Sequence, residues 1–441
     1  MINHFLSFLG TGNYQTCRYE FKGKISSPVP YIQLALLELL EELQDNQTKV
    51  SVFLTQKAWE KHWAVSGNNS AEGFGLASLL KERFPALTVE PIPIPEGKTA
   101  EELWDIFTIM YEQIAEKETL YMDITHSFRS LPIFGIALLN YARILKDNQV
   151  GGIYYGAFEA MSAPSIVKEI PLEKRIAPVF DLTGVYTLME WGTEVHLFLQ
   201  TGRAESLSYL VRTNLKPVLS DPGKRNLEAI GEQKLADMLN IVTLDLLTNR
   251  GEELRKGETF FRLQKIFSDL EGKSLNLKPL QPLLLQIGEK FSGFRWNDTR
   301  NGYRGVEWCI QHGWIQQGIT QLQETIITHM LDLLHENLKA IEKREIVSTV
   351  FDAKEKPGGS HTHPGYQDYL KKDPHLTKRI FDHPFCEVAA PPYNKLRKLR
   401  NDINHGGFVE DTPAQRFKLK LEEALEDLKK RYRERFQEEL Y

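Results

Sequence analysis

The stretch "TLYMDITHSFRSLPIFGIALLNYARIL", residues 119–145, decides the fold. Its opening, "TLYMDIT" (119–125), is a short apolar run of the kind that forms a buried strand. From Ser130 onward the apolar residues fall at helical spacing instead. Asp123, Thr125, His126 and Arg129 lie where one period gives way to the other. A strand that passes through a polar turn into an amphipathic helix is half of a βαβ unit, and "GGIYYGAF" (151–158) supplies the strand that completes it.

The same alternation runs back to the start of the chain. "HFLSFLG" (4–10), "KVSVFLT" (49–55) and "ALTVEPIPI" (86–94) read as strands. "YIQLALLELLEEL" (31–43), "GFGLASLLKERF" (73–84) and "AEELWDIFTIMYEQIAE" (100–116) read as helices between them, and "CRYEFKGK" (17–24) as a hairpin. The expected fold of residues 1–175 is a Rossmann-like α/β domain with a mostly parallel sheet and right-handed crossovers. From about residue 180 almost no strand pattern is left. Helical spacing fills 181–211 (broken near Gly202), 231–257, 277–294, 306–338 and 416–440. An all-α domain is therefore expected over 231–441, joined to the first by a helical region at 176–230. The stretch 349–376, rich in Gly, Pro, His and Lys, reads as a loop or partly disordered insertion.

Composition narrows the function classes. With 41% hydrophobic and 26% charged residues, the chain has the make-up of an ordinary globular protein. A net charge of −5 gives no global field for nucleic acid, so any such contact must be a local patch. Cys17, Cys309 and Cys386 are far apart and form no CxxC, which argues against a disulfide framework and against a cysteine-based zinc site. His361, His363, His375 and His383 lack a cysteine or carboxylate spacing that would join them into a metal site, and none is expected. No signal peptide and no apolar run of the roughly 18–20 residues that a membrane helix needs are read, so the expected location is the cytoplasm.

In a parallel sheet, ligands bind beyond the carboxyl ends of the strands. The first strand ends in Gly10, Thr11, Gly12 and Asn13, where glycines let backbone N–H groups approach a phosphate, although a tight strand-exit turn explains them equally. The strand at 119–125 ends in Thr125 and His126, and Arg129 lies in the first turn of the next helix. A cation there opposes the helix dipole unless an anion compensates it. The alternative is an N-cap with a surface arginine. There is no Walker A pattern.

A second candidate site is "NKLRKLRNDINHGG" (394–407). Leu396, Leu399 and Ile403 have helical spacing, and Gly406 suits the left-handed position that ends a helix. This explains the glycines and His405, but not Arg400, Asn401 and Asn404. Arg400 and His405, five residues apart, point about 140° away from each other on one ideal helix. They can meet a substrate together if the helix frays or if two copies face each other. A histidine can then move a proton during 2′-hydroxyl attack on the adjacent phosphate while an arginine holds the phosphorane charge.

The motifs in this order resemble the CARF–HEPN ribonucleases of type III CRISPR systems. "DITHSFRS" looks like that family's D-x-T-H-x-x-R strand end, with Ser127 where glycine is common. "FLGTGNY" is similar to its start, and "RNDINH" fits its R-x4-6-H pattern. The resemblance implies a homodimer or higher oligomer whose CARF domains bind a cyclic oligoadenylate, with cyclic tetra-adenylate preferred. Gly10, Thr11, Gly12, Asn13, Thr55, Gln56, Thr125, His126 and Arg129 would form the activator site, with Thr55 and Gln56, at the end of the second long strand, the weaker members and Asp123 bracing the loop rather than touching an anion. The paired HEPN domains would cut single-stranded RNA without a metal or cofactor, through Arg400, Asn401 and His405, leaving 2′,3′-cyclic phosphate ends. The alternatives are a non-catalytic nucleotide-sensing regulator and an enzyme that also degrades the activator in its sheet pocket.

Overall fold

Strand β1 (Asn3–Leu9, NHFLSFL) is apolar on both faces, as a strand in the middle of a two-sided sheet must be. Phe5 and Leu9 enter one core, and Leu6 and Phe8 enter the other. The computed structural model describes residues 2–44, 47–64, 74–126, 131–161, 164–167, 169–220, 226–273, 275, 281–356, 362–408 and 412–441. In it β1 lies between two parallel neighbours, β4 (Lys49–Leu54) and β6 (Thr119–Asp123). The full order is β3-β2-β8-β7-β6-β1-β4-β5, completed by β2 (Arg18–Phe21), β3 (Lys24–Ile25), β5 (Thr88–Pro93), β7 (Gln149–Gly156) and β8 (Ile176–Asp181). The parallel strands grow outward from β1 through β4 to β5, then restart on the other side of β1 with β6 and β7. That reversal makes the gap between β1 and β6 a topological switch point, where an open sheet leaves a crevice.

The sheet is covered on both faces, as parallel sheets are. Its helices are α1 (Ile32–Leu39), the short α2 (Gln56–Ala58) leading into a π-helical turn at Trp59–Trp63, α3 (Leu76–Arg83), α4 (Ala100–Gln113), α5 (Leu131–Lys146) and the short α6 (Pro164–Val167). α1 and α3 pack into the core that holds Phe5 and Leu9, while α4 and α5 pack into the other. The expected hairpin is present as β2–β3, with Lys22 and Gly23 both at positive φ, as a primed hairpin turn requires. Strand β8 was not expected. Pro178 inside "IAPVFD" hides it from a strand pattern, yet it pairs antiparallel with β7 and parallel with β2.

Contacts divide the chain into a unit of residues 1–189 and a unit of residues 190–441, with the division inside α7 (Thr183–Thr201). The second unit holds α8 (Glu205–Leu219), α9 (Leu227–Leu247), α10 (Gly251–Lys256), α11 (Glu258–Leu270), α12 (Gln281–Phe291), α13 (Asn301–His312), α14 (Ile315–Leu333), α15 (Ile341–Glu355), α16 (Pro364–Lys372), α17 (Pro374–Asp382), α18 (Pro384–Asn404) and α19 (Arg416–Phe436). The helical spacing over 306–338 is divided at Gly313, whose φ of 73° is left-handed. Likewise 231–257 splits after Leu247, and Asn249 takes φ 54° in the turn. Among the described residues no helix is long and apolar enough to cross a membrane.

The loop expected over 349–376 is corrected among the described residues, which exclude 357–361. α15 continues to Glu355, and α16 and α17 occupy 364–372 and 374–382. The residues that read as loop formers are helix starts. His363 accepts a hydrogen bond from Tyr366 N–H ahead of Pro364, and Asp373 accepts from Leu376 N–H ahead of Pro374. Proline in the first helical turn costs no hydrogen bond, because the N–H it lacks has no partner there.

One glycine is required on two grounds. Gly257, between α10 and α11, has φ 67°, and a Cβ there would lie 2.1 Å from the Arg295 carbonyl oxygen. Gly257→Ala should therefore destabilise the helical unit by more than ~1 kcal/mol. Urea unfolding followed by circular dichroism would show a lowered midpoint, and an unmoved midpoint would refute the constraint.

Candidate functional site

At the switch point the strand ends enclose a cleft of about 230 Å³, lined by Gly10, Thr11, Gly12, Tyr14, Thr55 and His126 among others. Its frame is a buried carboxylate. Asp123, fully buried at the end of β6, accepts a hydrogen bond from Ser7 Oγ on β1 at 2.6 Å and another from Thr125 N–H at 2.9 Å. Gln33 on α1 donates to Ser7 Oγ and to the Phe8 carbonyl, extending the network under the β1 end. Burial raises the Asp123 pKa above the ordinary carboxylate value, against the bonds from Ser7 and Thr125. Asp123 thus braces the loop, as expected from the family resemblance.

The remaining candidates divide. Gly10 faces the cleft under constraint, since a Cβ there would lie 3.0 Å from the His126 carbonyl oxygen. His126 lines the cleft, and burial, followed by the nearby His62, lowers its pKa to about 4. Its imidazole is neutral at pH 7, so it can offer a ligand a hydrogen bond but no positive charge. Thr125 Oγ1 accepts from Gly156 N–H on β7 at 2.9 Å, which makes its hydroxyl a tie between strand ends. Thr55 lines the cleft but also caps α2, accepting from Ala58 N–H. Gln56 is exposed and donates to Glu60, outside the cleft lining. Arg129 and Ser127 lie outside the described residues.

Three further residues shape this loop and escaped the sequence reading. Lys61 Nζ donates to the Thr11 carbonyl at 2.8 Å and to Asn13 Oδ1 at 2.7 Å. His62 Nε2 lies 2.8 Å from the Gly12 carbonyl, and the Tyr14 ring packs between His62 and His126, with centroids 4.5 and 4.3 Å away. The available signal was position: "KAWEKHW" (57–63) directly follows the end of β4, beside the end of β1.

At the opposite ends of the strands, Ser51 Oγ, His4 and Glu118 form a chain of 2.8 and 2.9 Å contacts with the connectivity of a hydrolase triad. Ser51 and His4 are fully buried in the sheet, so no substrate reaches them and the chain serves as a satisfied core network.

In the helical unit, the candidate site is the end of α18. Three successive bonds fix this helix to α15: Tyr393 OH to Ser348 Oγ at 2.8 Å, Asn394 Nδ2 to the Phe351 carbonyl at 2.8 Å, and Arg397 to Asp352 at 2.6 Å. Asp352 also accepts from His363 Nε2 at 3.0 Å and pairs with Lys356 at 3.1 Å. Because His363 Nδ1 accepts from a backbone N–H, its proton sits on Nε2 and points at Asp352. His363 and His383 are both helix caps, at α16 and α18. Among the described residues no group of three or more His, Cys, Asp or Glu is arranged to hold a metal, and His361 lies outside them.

Leu396 and Leu399 are buried and Ile403 partly so, as the 3–4 spacing requires. The helix then stops in a Schellman arrangement. Gly407 N–H donates to the Asp402 carbonyl at 3.0 Å and Gly406 N–H to the Ile403 carbonyl at 3.1 Å, with φ of 63° at Gly406 and 77° at Gly407. His405 is the C-cap, its N–H still bonded to the Asn401 carbonyl at 2.9 Å, so the helix does not fray before it. Arg400 is half-buried, while Asn401 and His405 are exposed. Their side chains make no hydrogen bond or ion pair with the described residues. The neighbouring Asp402 is committed differently: it is buried and accepts from Thr412 N–H. Since the helix is intact, Arg400 and His405 leave it about 140° apart, and one copy alone does not close them into a pair.

A search against protein-family models finds no match. The CRISPR-associated protein MJ1674 of Methanocaldococcus jannaschii is 23% identical over 453 residues, covering 92% of this chain. The chain is a relative of a CRISPR-associated protein. This supports the resemblance drawn from the sequence. The chain spans 62% of the length of that relative. Among solved structures, Enterococcus italicus Csm6 bound to cyclic hexa-2′-fluoro-hexa-dAMP aligns with a TM-score of 0.46 at 11% identity, over 99% of this chain and 95% of that one.

The Asp352 cluster makes a pH prediction. Burial works to raise the Asp352 pKa, but Arg397, His363 and Lys356 outweigh it and lower the value from 3.8 to about 2. A carboxylate depressed in the folded state stabilises fully above its unfolded pKa and loses that contribution as pH falls through the folded one. The contribution should thus be complete above pH 3.8 and fade toward pH 2. Asp352→Asn should lower stability at pH 7 and narrow its difference from wild type across that window. A difference that stays constant in thermal melts from pH 7 to 2 would contradict it.

Proposed function

We propose that the chain is a ribonuclease that cuts single-stranded RNA when a cyclic oligoadenylate occupies the sheet cleft. The observation that carries this reading is the end of α18: Arg400, Asn401 and His405 stand on a capped helix terminus, their side chains unpaired among the described residues. His405 acts as the general acid/base for 2′-hydroxyl attack, and Arg400 stabilises charge on the phosphorus oxygens. Asn401, one turn before His405, orients the ribose or phosphate by hydrogen bonding. The products carry 2′,3′-cyclic phosphate ends, and the acid/base chemistry is supplied by side chains without a metal.

The angular separation of Arg400 and His405 leads to a homodimer, in which each catalytic set draws on two α18 ends. In the sheet unit, the β1 loop at Gly10–Asn13 and the β6 end with His126 and Arg129 bind the activator. Thr125 and Asp123 keep those strand ends in register, and Lys61 holds the carbonyl side of the loop so that its N–H groups remain for a phosphate. Thr55 contributes at the cleft wall, and Gln56 has the weakest claim. Activation requires that the cyclic oligoadenylate bind the cleaving state more tightly than the resting state. Kinship with a CRISPR-associated protein supports a role in antiviral defence.

Cleavage of a labelled single-stranded RNA in EDTA, with cyclic tetra- or hexa-adenylate added separately, tests the reading. His405→Ala should lower the rate by about 10²–10⁴ while leaving activator binding intact. Cleavage undiminished in that variant would remove the site. Arg129→Ala should raise the activator concentration needed for half-maximal cleavage, and an unchanged dose response would exclude it from the cleft.

A further inference from the structure

Phe408 is 96% exposed, three residues beyond His405. No other large hydrophobic side chain between Pro384 and Phe408 is exposed among the described residues. The turn that ends α18 sets its position. Phe408 N–H donates to the His405 carbonyl at 3.2 Å, which ties the aromatic residue to the backbone of the candidate acid/base. The ring also lies beside Gly406, where a Cβ would sit 3.7 Å from its Cδ2.

The helix end that leads into this residue is polar and carries cations, while Glu410 and Asp411, which follow it in sequence, lie outside the described residues. Lys398, Asn401 and His405 follow one another at 3–4 spacing and so share one exposed face of α18. Lys398 makes no ion pair with the described residues, whereas Lys395 is paired with Asp427 and Arg397 with Asp352. Arg416, at the start of the adjacent α19, is also exposed and unpaired among them. A protein–protein contact buries a cluster of apolar side chains at its centre. A single exposed aromatic ring on a helix end that carries cations unpaired among the described residues is instead the chemistry that binds single-stranded nucleic acid, with bases stacking on the ring and cations following the phosphates.

We propose that Phe408 is a stacking platform for the RNA base next to the scissile phosphate, with Lys398 contacting the neighbouring backbone. This rests on the ribonuclease reading above. Stacking places one nucleotide against the turn that holds His405 and thereby orients the adjacent 2′-hydroxyl. Phe408 is a positioning residue that acts through the base, and it leaves the choice of base loose because every base has a π-face.

The test uses the full chain with the activator and RNA carrying 2-aminopurine at each position in turn. His405→Ala prevents cleavage during the measurement. This parent should quench 2-aminopurine at one position, and adding Phe408→Ala should abolish that quenching and weaken RNA binding by about tenfold or more. Phe408→Tyr should restore both, and sedimentation should show an unchanged oligomer. Equal quenching and binding with and without Phe408 would overturn the stacking role. An altered sedimentation coefficient in Phe408→Ala would also overturn it, assigning the ring to contact with a second copy. If the wild-type chain cleaves RNA but Phe408→Ala behaves as the parent, only the stacking inference fails. If the wild-type chain neither binds nor cleaves RNA, the ribonuclease reading fails and takes this inference with it.

Discussion

The Ser7–Asp123 hydrogen bond crosses the point where the sheet reverses its direction of growth. A carboxylate without water must be satisfied by neighbouring donors, and the structure supplies Ser7 from β1 and the Thr125 N–H from its own turn. One buried group thereby joins the central strand, the strand beside it and the turn that carries His126. Thr125 extends the connection to Gly156 on β7, and Gln33 extends it to α1. The cleft has its shape because its rim is bonded from below. Residues above that rim, such as Gly10 and His126, keep surfaces that face it.

The helical unit follows a related rule with different parts. α18 is fixed along one side by Tyr393, Asn394 and Arg397, each bonded to α15, and on its apolar side by Leu396 and Leu399. Asp352 connects Arg397 with the cap of α16, so the start of one helix and the middle of another share a carboxylate. Past Arg397, Asp402 is still committed, but Lys398, Arg400, Asn401 and His405 make no side-chain hydrogen bond or ion pair with the described residues. In both units the architecture consumes polar groups up to an element's end and leaves the last ones available. The same reasoning separates Ser51 from His405: the first has ideal partners and no access, while the second has access and no side-chain partner among the described residues.

Much of this was legible in the sequence, because period and turn chemistry are local. The strands around β1 and β6, the glycines after β1 and the glycine stop after His405 all follow from short stretches, while the bracing role of Asp123 comes from the family resemblance. The misses have specific causes. Strand β8 contains Pro178, which breaks its pattern, and one of its two partners, β2, lies near the other end of the sheet unit's sequence. The segment around His363 and Asp373 looked like loop because capping residues and prolines are also loop residues, and only the bonds to Tyr366 and Leu376 tell them apart. Lys61 and His62 were invisible because their meaning depends on where β4 ends relative to β1. Thr125 carried the right residue type, but its hydroxyl proved to be engaged by Gly156, which no local pattern reveals.

The position of His405 is set in part by stereochemistry. Gly406 and Gly407 both occupy the left-handed region, which L-residues with a Cβ enter only with strain. The helix therefore stops at a point defined by the handedness of amino acids as well as by contacts. A D-alanine installed at Gly406 by chemical ligation would keep the stop and even rigidify it, whereas its mirror image would push the chain toward another turn of helix. The histidine's orientation is thus encoded in two residues that have no side chain at all.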